Sequence, residues 1–217
     1  MLTVNRLSIS YGSHRVIDNL SLELSPGSIC ILRGANGSGK SSILSAISGV
    51  IPEYIKAEVT GSICMNGNDL SRVALREKFR YLWHAQCDPD AQSFFPTCEA
   101  ELAFALENMG VAPGEIVARI NDAAAFFALS GKMYSSPRLL STGQKKLLLC
   151  AIGMALSPAL YLLDEPASGL SGDSIELLRA WLKKLKSCNA MVLIAEHNPA
   201  ITALADCVIN LGDKKGV

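Results

Sequence analysis

No charge of one sign prevails in this sequence: 20 Lys and Arg stand against 20 Asp and Glu over 217 residues. That balance speaks against a nucleic-acid partner held by bulk electrostatics, which needs a basic face. Seven cysteines are present, yet no two stand in a C-x-x-C pair. Cys30 and Cys150 lie inside apolar runs, so they read as small, reduced core residues in a reducing compartment. No apolar stretch is long enough to cross a bilayer. The longest uncharged one, 147–163, is broken by Ser157-Pro158. Residues 1–6 alternate like a strand and do not read as a signal peptide. Neither an internal repeat nor a low-complexity segment occurs. What remains is one domain with a sizeable core, whose link to any membrane must run through a partner.

Gly34-Ala35-Asn36-Gly37-Ser38-Gly39-Lys40-Ser41 fits the pattern G-x-x-x-x-G-K-[ST]. Its glycines let the chain turn tightly and bring successive N–H groups onto phosphate oxygens without a Cβ in the way. Lys40 then supplies a charge to the β- and γ-phosphates, and Ser41 offers a hydroxyl to Mg²⁺. The run Ser28-Ile29-Cys30-Ile31-Leu32 reads as the buried strand feeding the loop. Residues 42–48, from Ser42 onward, read as a helix whose positive end faces the phosphates. Later, Leu160-Tyr161-Leu162-Leu163-Asp164-Glu165-Pro166 reads as a buried strand ending in two acids, where open α/β sheets bind ligands. Asp164 is expected to hold Mg²⁺ and Glu165 to orient and polarise an attacking water. Taken alone, the second motif would equally suit a strand capped by solvated acids.

Between the two lies Leu140-Ser141-Thr142-Gly143-Gln144, which serves no purpose in a kinase or a GTPase. It resembles the signature motif of the ATP-binding-cassette (ABC) ATPases, and the resemblance extends over essentially the whole chain. It implies ATP and Mg²⁺ as cofactors. It also implies that Ser141, Thr142, Gly143 and Gln144 contact the ATP of a second copy, in a head-to-tail dimer, homo- or hetero-. Tyr11 matches the aromatic that stacks on adenine. Gln86, after Tyr81-Leu82-Trp83, matches the glutamine that senses the γ-phosphate and reaches the metal. His197 matches the switch histidine, and Ala167-Ser168-Gly169-Leu170-Ser171 takes the D-loop position. Plainer readings stand beside these: a strand-end ring for Tyr11, a solvated loop residue for Gln86 with Gln92 as competitor, and a helix-start residue for His197. His14 and His84 carry no such context.

Three positions depart from the family pattern. Ser171 replaces the usual D-loop aspartate, Leu147 stands where an arginine is frequent, and Thr142 replaces a glycine. These bear on the strength of one composite site and leave Lys40, Asp164, Glu165 and His197 untouched. Within the family, Asp88-Pro89-Asp90-Ala91-Gln92 with 101–110, and Gly49-Val50-Ile51-Pro52 with 59–63, resemble the ATPases of energy-coupling-factor (ECF) importers of vitamins and transition-metal ions. Many of those carry a C-terminal extension that joins two copies; without one, the chain is expected to be monomeric or weakly dimeric until ATP binds. The implied function is a transport ATPase, cytoplasmic and peripheral on the inner face of the cell membrane, partnered by a transmembrane subunit and not by nucleic acid. The alternatives are a soluble ABC ATPase, for example of the iron–sulfur assembly type, and an exporter ATPase.

Residues 1–33 alternate apolar and polar, which predicts half-exposed antiparallel strands. Asn66-Gly67 signals a hairpin turn. Helical spacing runs through 97–109 and 115–129, separated by Gly110 and Pro113-Gly114. From 157 the pattern alternates strand and helix, as a parallel sheet requires. With the resemblance, this implies an α/β P-loop NTPase of ABC type: a parallel-sheet core (about 1–87 and 157–217), an N-terminal antiparallel β subdomain, and an inserted helical subdomain (about 88–156) that presents the signature.

Overall fold

The computed structural model describes residues 1–212; the Lys214-Lys215 tail, basic in the sequence, lies outside them. Alternating apolar side chains make the first hairpin. Strands β1 (Leu2–Tyr11) and β2 (His14–Leu24) pair antiparallel, with Leu2 opposite Leu24 and Tyr11 opposite His14. After β3 (Ile29–Arg33) come helices α1 (Lys40–Ser48) and α2 (Val50–Glu53). Strand β4 (Glu58–Met65) returns antiparallel to β1 and turns at Asn66-Gly67 into β5 (Asn68–Asp69). Those two turn residues have φ 51° and 81°, the paired left-handed conformations that a two-residue hairpin needs.

Helix α3 (Leu75–Lys78) and strand β6 (Leu82–Ala85) lead to three longer helices. Helix α4 (Cys98–Asn108) is capped by Thr97, whose hydroxyl accepts from the Ala100 N–H. Helix α5 (Pro113–Phe126) has proline in its first turn. Helix α6 (Thr142–Leu156) opens on a capping box in which Ser141 and Gln144 satisfy each other's backbone N–H. Then follow β7 (Leu160–Asp164), α7 (Gly172–Ser187), β8 (Met191–Ala195), α8 (Pro199–Thr202) and β9 (Cys207–Asn210).

Among the described residues the strands form two sheets: an antiparallel one, ordered β2-β1-β4-β5, and a wholly parallel one, ordered β6-β7-β8-β3-β9. The antiparallel pattern predicted for 1–33 therefore stops at Leu24. Strand β3 belongs to the parallel sheet because Ile29, Cys30, Ile31 and Leu32 are all buried, and a strand covered on both faces suits a parallel sheet with layers on either side.

Those faces feed two cores. Ile29, Ile31, Tyr161, Leu163, Val192 and Ile194 pack toward α4–α7, whereas Cys30, Leu32, Leu160, Leu162, Met191 and Leu193 pack toward α1 and the antiparallel sheet. Helix α6 is buried nearly all round from Lys146 to Leu156 and packs on α4, α5, α7 and β6. A Cβ at Gly153 would come within 2.5 Å of Trp83 Cδ1, so the glycine is what lets the indole lie against the helix. No helix of the described residues is long and apolar enough to cross a membrane.

His84, on β6, is buried beneath α1. Its Nδ1 lies 3.1 Å from Ser48 Oγ and its Nε2 has no hydrogen-bond partner. Burial pushes its pKa from 6.5 down to about 4. The folded protein therefore takes up this proton later than the unfolded chain. The contribution of neutral His84 is complete above pH 6.5 and is lost as pH falls through about 4. Denaturant titrations should show about 3 kcal/mol of stability lost over that interval, and His84→Asn should abolish that part of the slope.

Candidate functional site

Because β6, β7, β8 and β3 run parallel in level register, their carboxyl ends share one edge: Ala85 is opposite Leu163, Asp164 opposite Ala195, and Leu32 opposite Ala195. The loop 34–39 leaves that edge from β3, Asp164-Glu165 from β7, Glu196-His197 from β8 and Gln86 from β6. Residues far apart in sequence thus leave the sheet at one edge, where open α/β sheets bind ligands.

The loop exposes Ala35, Asn36 and Gly37 and buries Gly39 and Lys40 at its base. Gly39 has φ 95°, and a Cβ there would lie 2.6 Å from Ile17 Cδ1, so no other residue fits. Gly37, at φ 80°, faces open space. Lys40 Nζ donates to the carbonyls of Gly34 (2.8 Å) and Ala35 (3.0 Å), which folds the ammonium inside the loop. Ser38 Oγ is buried without a partner. Tyr11 reaches the same region from the end of β1, its hydroxyl 3.1 Å from Ser42 Oγ. Its half-buried ring is therefore anchored beside the loop.

Asp164 is 6% exposed and its Oδ1 has no hydrogen-bond partner. Burial raises its pKa from the ordinary aspartate value, opposed by the neighbouring Ser41 side chain and reinforced by Glu165. An orphaned buried carboxylate oxygen beside a serine hydroxyl is a donor set that suits a hard divalent cation; the residues present fit Mg²⁺. Glu165 follows in a left-handed conformation, φ 47°, which a non-glycine residue holds only when its surroundings enforce it. Its N–H donates to Ala195 O at 2.9 Å, and its carbonyl accepts from Lys146 Nζ at 2.5 Å. Its Oε2 lies 3.8 Å from Cys87 Sγ.

Gln86 is half-buried at the end of β6. Gln92 is employed otherwise: its Oε1 accepts from the Gln86 N–H (2.8 Å) and its Nε2 donates to His84 O (2.9 Å), so it pins the strand end. The His197 side chain is 74% exposed after the end of β8, its backbone N–H held by Glu196. Ser141, Thr142, Gly143 and Gln144 stand elsewhere. A Cβ on Gly143 would lie 3.0 Å from Gly169 O, and Thr142 Cγ2 would lie 3.7 Å from one on Gly169. The signature therefore packs on the D-loop stretch of its own chain. Leu147 is a buried core residue and Ser171 is exposed, 3.2 Å from Ser174 Oγ. Lys146 and Glu196, both buried here, escaped the sequence reading. A basic residue in a signature helix and an acid after a strand look solvated until the fold brings their partners to them.

The family model described as ABC transporter matches residues 17–168. An ABC transporter ATP-binding protein of Brucella suis is 31% identical over 99% of this chain and 87% of its own length. One from Methanosarcina mazei is 30% identical over 93% of this chain, but the chain spans only 39% of that protein. A solved ATP binding subunit of an ABC transporter superposes with a TM-score of 0.85 at 25% identity, covering 97% of this chain and 85% of that one. CbiO1 of Clostridium perfringens, part of the ABC transporter complex cbiONQ, superposes at 0.79 over 96% of this chain and 83% of its own, with 22% identity.

Ionised Asp164 costs stability in the nucleotide-free protein. Since its folded pKa is raised, the stability it contributes is present at low pH and is lost as pH rises through that pKa. Asp164→Asn should thus stabilise the nucleotide-free chain at pH 7. The same variant should lose most of the additional stabilisation that Mg-ATP confers. Thermal unfolding with and without nucleotide tests both halves.

Proposed function

The chain belongs to the ABC transporter ATP-binding family, and on that premise we propose that it is the ATP-hydrolysing subunit of a membrane importer. The carrying observation is the meeting of Lys40, Ser41, Asp164 and Glu165 at one sheet edge, with one oxygen of Asp164 left without a protein partner. In this reading the backbone of Gly34, Asn36, Gly37, Ser38 and Gly39 cradles the phosphates, Lys40 supplies the charge, and Ser42 and Tyr11 border the nucleotide. Ser41, Asp164 and Gln86 would hold Mg²⁺, which supplies charge neutralisation on the phosphate oxygens. Glu165 accepts the proton of the attacking water, and His197 contacts the γ-phosphate.

The signature's own contacts support a two-chain site. Thr142 and Gly143 lie on Gly169-Leu170 of the same chain, so signature and D-loop make one surface that a second copy's nucleotide can meet. We assign about 88–156 as the helical subdomain presenting that surface, on a nucleotide-binding core of about 1–87 and 157–217. ATP binding closes the pair, and hydrolysis opens it.

With no membrane-crossing helix among the described residues, transport requires a membrane subunit. The docking groove we favour lies beside Gln86, along 88–101. Phe94 is 79% exposed there, whereas Phe95 stacks on Phe104 with ring centroids 4.6 Å apart. Buried Glu101 accepts both backbone N–H groups, at 2.5 and 2.7 Å, and so fixes the turn that holds Phe94 outward. An ECF-type importer, taking a vitamin or a transition-metal ion, rests on the resemblance of 88–92, 101–110, 49–52 and 59–63. The likeness to cbiO1, at 22% identity, speaks for the fold alone.

Glu165→Gln should keep ATP binding and lower kcat about a thousandfold, because an amide cannot take the proton yet preserves the shape. Light scattering should then show an ATP-dependent dimer accumulating. Hydrolysis at the wild-type rate would remove Glu165 as the base. For the partner, Phe94→Cys in a cysteine-depleted background should cross-link to a co-purifying membrane subunit, and Phe95→Cys much less. Cross-links confined to the antiparallel sheet would place the docking groove elsewhere.

A further inference from the structure

Glu196, directly after β8, is 1% exposed, and its two carboxylate oxygens serve different parts of the chain. Oε2 accepts from the N–H of Ala167 at 2.9 Å, in the turn that follows Glu165. Oε1 accepts from the N–H groups of His197 (2.8 Å) and Asn198 (3.0 Å), in the turn that opens α8. A buried carboxylate is tolerated only when its oxygens are hydrogen-bonded, and here three backbone donors do that. A hydroxyl at this position could not span both turns. The contacts extend further on the Ala167 side, where Gly169 and Leu170 lie against Thr142 and Gly143 at the head of α6.

We infer that Glu196 is a positioning residue that holds the turn after Glu165 and the turn bearing His197 in one register. Its two carboxylate oxygens are taken up by backbone N–H groups of those turns. It sets the spacing between the Glu165 carboxylate and the His197 ring, and it joins the surface formed by the signature and D-loop to the turn bearing His197. The inference rests on the proposed hydrolysis, since that spacing matters only if both side chains flank one phosphate.

The two-sided bonding makes a distinctive prediction. Glutamine has one acceptor oxygen, and its NH₂ would point hydrogens at the N–H of whichever turn it faces. Glu196→Gln can therefore hold one turn and must release the other, whereas Glu196→Ala releases both. Amide hydrogen exchange on the nucleotide-free chain reads this directly in peptides covering 165–171 and 196–200. Exchange should rise about tenfold in one of them for Gln and in both for Ala, with α7 and the β1–β2 pair unchanged. In steady-state ATP hydrolysis, both variants should lose about tenfold in kcat with KM for ATP held within about twofold, because the phosphate loop is untouched. Unchanged exchange in both turns, unchanged kcat, or exchange raised equally through the sheet would overturn the inference, the last by showing a merely structural role. A wild-type chain with no turnover would instead overturn the hydrolysis reading, while the exchange measurement, made without nucleotide, still decides whether Glu196 joins the two turns.

Discussion

The level, parallel register of β6, β7, β8 and β3 is the constraint on which the site depends. A strand slipped by one residue would move its inward side chains to the other face. In β7 that would exchange the two cores served by Leu160 with Leu162 and by Tyr161 with Leu163. It would also move Asp164 away from the Ser41 side chain, whose influence lowers its pKa. The register is enforced because both faces of these strands are buried, so every wrong pairing exposes or crowds a core. The chemistry at the edge inherits its alignment from packing far below it.

That edge carries groups that reduce stability. Asp164 is buried with an unpartnered oxygen, Glu165 holds a left-handed backbone, and Ser38 Oγ has no partner. Each costs on the order of 1 kcal/mol or more. The surrounding structure holds them in place: Ala195 O and Lys146 fix Glu165, and Glu196 ties the adjoining turns. Groups left unsatisfied in this way suit a ligand that supplies positive charge to the carboxylate and a hydrogen-bond partner to the hydroxyl.

Helix α6 connects that edge to the outer surface. Its head carries the signature, its first turns send Lys146 to Glu165 and Lys145 to Asp90 at 2.6 Å, and its body packs on Trp83 of β6 at Gly153. A movement of this helix would be felt at the acid pair, at the segment bearing Phe94, and at the strand ending in Gln86. Leu147, which stands where the family often has arginine, is one of the buried residues that seat it. The departure from the pattern thus serves packing in this chain.

Local chemistry determined much of this protein from the sequence. The phosphate loop, the strand ending in Asp164 and Glu165 and the Asn66-Gly67 turn each depend on residues within a few positions of one another. Such patterns are legible because neighbouring side chains set the backbone conformation directly. What joins distant segments was decided by tertiary structure. The alternation through 1–33 did not reveal that β3 leaves the antiparallel run, since its partners, β8 and β9, lie more than a hundred residues away. The positions of Gln92, Phe95, Lys146 and Glu196 were equally hidden. Each of them is set by hydrogen bonds or packing across the fold, and only the assembled sheet and the seated helix α6 create those partners.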